Sequence, residues 1–168
     1  YRSTQQITDF TRHILVNGEA VTAFNRSGAL PVVSVSADAE STIARLKQQL
    51  DANNAAKETT AIIGKSLADC RALADRLQAD GVKVTLIQSE NQRLAPGVII
   101  VPSFLAKGLE FDAVIVWEAS KKTYFDDGER QLLYTICSRA MHQLTVLATG
   151  ELSPLFGTVP AEEYVLEG

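Results

Sequence analysis

Four stretches carry residue types at spacings that can do chemistry. Lys107-Gly108-Leu109-Glu110 stands against an apolar run, Ala113 to Trp117, that reads as a buried strand. A carboxylate there can accept from a hydroxyl pair such as a ribose, and Gly108 lets backbone approach a ligand closely. Taken alone, the simpler reading is a surface ion pair at a strand start. Arg139 closes a helical apolar face of Leu132, Leu133, Ile136, Cys137 and Ala140, just before the last core strand. It either complements the helix macrodipole or aims a guanidinium at a phosphate. Tyr1-Arg2 sets an aromatic face and a guanidinium before the first helix, where a base and a phosphate could both be met. Gly64-Lys65-Ser66 imitates a phosphate-binding loop by following a strand and opening a helix. Its spacing refutes that role, because Thr59 occupies the place of the required glycine and strand formers replace the wide anion-cradling loop. Ser66 reads instead as a helix cap.

The elements that position these residues alternate between helical and strand periodicity, the pattern of an α/β domain with a mostly parallel sheet. Helices are expected at Thr4 to Val16, Asp38 to Gln49, Leu67 to Ala79 and Gly128 to Met141. Strands are expected at Val21 to Phe24, Pro31 to Ala37, Thr60 to Ile63, Val82 to Ile87, Val98 to Val101, Ala113 to Trp117 and Gln143 to Ala148. Asp51 to Glu58 reads as a polar loop, and residues 151–168 as a surface strap or edge strand.

Composition narrows the classes. The 168 residues suit one domain, and 46% hydrophobic with 21% charged is ordinary for a globular chain. No apolar run approaches the ~20 residues that span a bilayer, and no signal sequence opens the chain, so a cytoplasmic address is expected with no membrane partner. Cys70 and Cys137 fall in apolar periodic segments without C-x-x-C spacing and read as buried thiols. His13 and His142 lie far apart, and no metal site is expected. A net charge of -4 argues against a general nucleic-acid coat protein, although a local basic channel survives such a total. Lys121-Lys122 beside Tyr124 and Phe125 reads as a strand-contacting loop or as a solvated turn.

Together these stretches resemble the second RecA-like motor domain of superfamily-1 UvrD/Rep-type helicases. "YRST" at 1–4 is similar to the end of that family's motif IV, 102–111 to motif V and 129–140 to motif VI, in the family's order. The resemblance implies a RecA-like helicase domain over 1–150 with a C-terminal extension at 151–168, lacking its own P-loop. ATP with Mg²⁺ would sit against an N-terminal RecA-like domain of the same chain. Tyr1 would stack on adenine, Arg2 and Arg139 would act as arginine fingers, Glu110 would bind the ribose, and Gly108 would permit close approach. Glu129, Arg130 and Tyr134 would order Arg139. Where the family reads T-x-H-[SA]-A against single-stranded DNA, this chain has Pro102, Ser103, Phe104, Leu105 and Ala106; Ser103 and Phe104 are the candidate nucleic-acid contacts. With the large accessory domain missing, the layout looks like the helicase-IV branch, which includes motors that recycle RNA polymerase. Three functions follow as expectations: an ATP-dependent DNA helicase or translocase, a remodelling ATPase acting on RNA polymerase, and an ATP-independent interaction domain.

Because neither a P-loop nor an acidic Mg²⁺-binding motif occurs in the 168 residues, the isolated chain is expected to hydrolyse no ATP. Mg²⁺-dependent phosphate release by the purified chain would contradict this.

Overall fold

The computed structural model describes residues 3–15 and 27–168. Tyr1, Arg2 and the expected strand Val21 to Phe24 lie outside the described residues.

Each helix begins where a side chain satisfies its first free amides. The Thr4 hydroxyl accepts from Ile7 at the start of α1 (Gln5–Arg12), the Asp38 carboxylate from Ser41 at α2 (Ala39–Ala55), and the Ser66 hydroxyl from Asp69 at α3 (Leu67–Ala79). Apolar residues at helical spacing then face the sheet: Ile7 and Phe10; Ile43, Leu46 and Leu50; Cys70, Leu73 and Leu77. The strands are β1 (Val32–Ser36), β2 (Thr60–Gly64), β3 (Thr85–Leu86), β4 (Val98–Pro102), β5 (Phe111–Val116), β6 (Ala140–Thr149) and β7 (Val165–Glu167). The short α4 (Ser103–Ala106) joins β4 to β5, and α5 (Arg130–Cys137) joins β5 to β6.

Among the described residues seven strands form one sheet and all run parallel, in the order β3-β4-β2-β5-β6-β1-β7. This is the α/β architecture of a RecA-like domain. Parallel sheets need both faces covered, and two apolar clusters do so. One joins Ile7, Phe10, Val114, Val116, Leu133 and Leu144; the other joins Leu46, Leu73, Leu77, Ile100, Ile115 and Leu147. Alternate residues of β5 therefore serve opposite clusters, which is why it reads as one continuous apolar run. Cys70 and Cys137 are free thiols inside these clusters; burial pushes Cys70 up to about 11 and raises Cys137 further. Among the described residues, no helix is long and apolar enough to cross a membrane.

Element boundaries differ from the sequence expectation most at four places. The first helix ends at Arg12 rather than Val16. Helix α2 continues to Ala55, through half of the expected polar loop, because Gln49 donates to Asn53 at 2.9 Å and Asn53 to Thr60 at 3.2 Å. A buried polar stripe that satisfies itself costs little. Strand β3 shrinks to Thr85–Leu86 at the sheet edge, since the chain before it closes α3 through the amide of Val82 on the Leu77 carbonyl. The expected helix Gly128 to Met141 divides: a 3-10 turn at Asp127–Glu129 leads into α5, which stops at Cys137, because Ala140 and Met141 belong to β6 and Ala140 pairs with Phe111.

Residues 151–168 finish the core. Leu155 and Phe156 are buried, Phe10 meets Phe156 and Tyr164 at ring centroids of 6.0 and 5.8 Å, and β7 adds a parallel edge strand to β1. Arg130 fastens this segment: Nη1 donates to the carbonyls of Ile14 and Leu155 and to the Thr158 hydroxyl. At the other end of the sheet, Asp112 ties β5 to the entry of β2. Its carboxylate accepts from the Thr59 amide and hydroxyl, both at 3.0 Å. The Thr59 amide holds the Asp112 carboxyl below its ordinary value.

Two outcomes follow. Arg130→Ala is expected to cost about 1–3 kcal/mol, read by urea unfolding, with the 151–168 segment becoming the first site of limited proteolysis. A carboxyl held low in the folded state adds stability above its ordinary value, near 3.8, and loses it as pH falls through the lower folded value. Asp112→Asn is therefore expected to lower stability at neutral pH and to narrow its deficit below that value, measured as unfolding midpoint against pH.

Candidate functional site

The site forms where β5 and β6 begin. The crossover between the parallel strands β5 and β6 returns the chain across the sheet through α5, which ends at the same edge where β5 starts. Arg139 is the second residue after α5, and its carbonyl accepts from the Phe111 amide at 3.0 Å. Its guanidinium lies half-buried between helix end and glycine turn: Nε donates to the Thr135 carbonyl at 3.0 Å, Nη2 to the Ser138 hydroxyl at 3.2 Å, and Nη1 to the Leu109 carbonyl at 3.5 Å.

Gly108 makes that turn. Its φ is +84°, a left-handed conformation that disfavours any side chain, while nothing lies within 4 Å of where a Cβ would stand. The glycine is demanded by the backbone, and the space beside it is open. Glu110 follows at the entry to β5 and is exposed. The described end of the first stretch reaches the same place, because the Ser3 hydroxyl donates to the Ala140 carbonyl at 2.7 Å and the Thr4 amide to Met141 at 3.1 Å. Tyr1 and Arg2, which precede Ser3, lie outside the described residues.

Three stretches, at 3–4, 108–110 and 139–141, thus meet at the amino edge of the sheet. Open α/β sheets more often bind ligands at the carboxyl ends of their strands; here that edge holds different residues. Ser103 begins α4, but it is buried and its hydroxyl donates to the Lys65 carbonyl at 2.7 Å. Phe104 is 60% exposed and borders a groove of about 360 Å³ whose wall mixes Ile87, Leu94, Leu105 and Leu109 with Ser89, Glu90, Gln92 and Lys107. Of the Lys121 to Phe125 loop, Tyr124 is fully buried, Phe125 and both lysines are exposed, and Lys121 pairs loosely with Glu151 at 3.4 Å.

Glu129 and Arg130, two of the residues expected to order Arg139, make their own direct contacts elsewhere. Glu129 sits at the far end of α5, where it completes a capping box with Asp126 and forms an ion pair with Lys65. Burial opposes the charge of Glu129, but Lys65 and the amides of Asp126 and Phe125 outweigh it and hold the carboxyl low. Arg130 clamps α1 to the C-terminal segment. The sequence shows the capping box as Asp126 and Glu129 at the right spacing. It carries no signal for the partner, since Lys65 comes from another layer of the sheet. The Gly-Lys-Ser imitation is thereby explained: its lysine serves a carboxylate and the start of α5.

Comparison with known proteins bears on this arrangement. Residues 97–147, from the entry of β4 into β6, match the UvrD-like helicase C-terminal domain family. The crystal structure of the C-terminal domain of a possible DNA helicase from Lactobacillus plantarum WCFS1 is 58% identical, covering 100% of this chain and 99% of that one at a TM-score of 0.89. A chain from the crystal structure of the Escherichia coli DEAD-box protein SrmB bound to regulator of ribonuclease activity A is similar in fold alone. It is 14% identical, with 85% of this chain and 92% of that one covered at a TM-score of 0.54. No curated protein matches the chain. Matched family segment, near-complete likeness to a helicase C-terminal domain and convergence of the motif residues agree, and the chain belongs to the UvrD-like helicase C-terminal domain family.

Proposed function

We propose that this domain is the C-terminal half of an ATP-dependent DNA helicase or translocase, and that its amino edge completes an ATP site against a P-loop motor domain. The observation that carries this reading is the meeting of Arg139 with the Gly108–Glu110 turn. A guanidinium has five N–H donors. Among the described residues, Arg139 uses three of them on neutral oxygens, which leaves donors for an anion beside an open glycine turn.

The residues fit a nucleotide in character. Arg139 would meet the terminal phosphate, with Arg2 as the second arginine finger, Glu110 would accept from the ribose hydroxyls, and Tyr1 would stack on the adenine. ATP supplies the phosphoryl group, and Mg²⁺ would be held by the partner domain. Lys65 is committed to Glu129, so this chain adds no P-loop lysine. Closure of the two domains on ATP and reopening after hydrolysis would move single-stranded DNA past the carboxyl edge, where exposed Phe104 offers a stacking face.

One observation favours a second reading. With the Ser103 hydroxyl turned inward and the exposed Phe104 ring set on a groove of mixed apolar and polar wall, that edge also suits a protein partner. A remodelling motor of the helicase-IV kind, acting on RNA polymerase, would use it so.

The test is steady-state ATPase activity of the full-length protein, with and without single-stranded DNA. DNA is expected to stimulate turnover, and Arg139→Ala to lower it by about 10³-fold or more. Loss in Arg139→Ala of a turnover that DNA does not change would keep the motor and favour the protein partner. Undiminished turnover in Arg139→Ala would refute the site.

A further inference from the structure

Lys65 makes two attachments with two parts of itself. Its backbone carbonyl accepts from the Ser103 hydroxyl at 2.7 Å, which fixes the start of α4. Its ammonium pairs with Glu129, donates to the Thr123 carbonyl at 2.7 Å and stands 5.4 Å from the ring centroid of Tyr124, which fixes the approach to α5. Glu129 spends its other oxygen on the amides of Phe125 and Asp126. The first turn of α5 is thus held from both sides.

These attachments close a ring. From Lys65 the path runs through Ser103 and α4 to the Leu109 carbonyl, crosses to Arg139, and returns along α5 to Glu129 and Lys65. Helix α5 has eight residues, about 12 Å of rigid rod, and is anchored by buried Leu133, Ile136 and Cys137. A shift at its first turn therefore moves its last. The ring has one closure at each edge: Lys65 at the carboxyl ends of the strands, and the Arg139–Leu109 contact at the amino ends. Phe104, 60% exposed, lies one residue from the Ser103 attachment, so whatever presses on Phe104 acts on the same ring.

We infer that Lys65 is a positioning residue for Arg139, holding motif V and motif VI in one relative placement and linking the Phe104 edge to the arginine edge. The inference rests on the proposed ATP site. Among the described residues, Lys65 touches none of those assigned to ATP, and the buried face of α5 keeps the helix folded without it. What its loss frees is the angle at which α5 delivers Arg139.

The experiment compares kcat and KM for ATP, with single-stranded DNA present, in the full-length protein and its Lys65→Met, Lys65→Arg and Glu129→Gln variants, together with their melting temperatures. Misplacement of a catalytic arginine acts on turnover, so Lys65→Met is expected to lower kcat about tenfold with KM within about twofold and the melting temperature nearly unchanged. Lys65→Arg keeps the charge and is expected to restore kcat to within about twofold. Glu129→Gln should reproduce the loss, and the Lys65→Met/Glu129→Gln double variant should fall no further than either single variant. Undiminished kcat in Lys65→Met, no rescue by Lys65→Arg, or losses that multiply in the double variant would each overturn the inference. If Lys65→Met does not fold, Glu129→Gln alone decides, with undiminished kcat overturning it. Inactive Arg139→Ala beside normal Lys65→Met sinks this inference only; active Arg139→Ala sinks the ATP site beneath it.

Discussion

Two parallel neighbouring strands cannot be joined by a tight turn; the chain must travel back across the sheet before it can pair again. That constraint on β5 and β6 governs the domain. Because α5 carries the return, it must start at the carboxyl edge and finish at the amino edge, and the residue that follows it must arrive beside the residue that precedes β5. Arg139, the second residue after α5 and the last before β6, is brought beside Glu110 in this way. The pairing of Phe111 with Ala140 then sets their register, and the Phe111 amide on the Arg139 carbonyl seals it.

The same crossover gives the domain two working edges. Near the amino edge lie Ser3, Gly108, Glu110 and Arg139; near the carboxyl edge lie Ser103, Phe104 and the Lys121 to Phe125 loop. A sheet packed on both faces changes little within itself, since every strand is held by its neighbours and by two apolar clusters of low compressibility. A helix lying on the sheet is the freer element. Held at its first turn by Glu129 and at its end by Arg139, α5 is the one described rod that touches both edges near the candidate residues.

How much could be read without coordinates depends on how local the physics is. Strands β2, β4 and β5 were legible because burial on both faces leaves an uninterrupted apolar run. Helix α3 was legible because Ser66, its apolar stripe and Gly81 mark start, face and end within one stretch of chain. The true end of α2 was not, because Gln49 and Asn53 look solvent-facing until Thr60 is brought against them. Strand β3 is shorter than its apolar pattern implies because an edge strand lasts only as long as one neighbour pairs with it, and Val82 is spent on closing α3.

The candidate site divides in the same way. Sequence by itself determined the α/β class, the chemical character of Lys107 to Glu110 and of the helix ending in Arg139, and the family that these motifs resemble, since each is written in contiguous residues. Tertiary structure alone decided that these stretches meet, that they do so at the amino edge, that Ser103 turns inward, and that Lys65 pairs with Glu129. The reason is physical. Capping and periodicity act within a few residues of chain, whereas an ion pair across 64 residues or a carbonyl reached by a guanidinium exists only once sheet register and crossover path have been set.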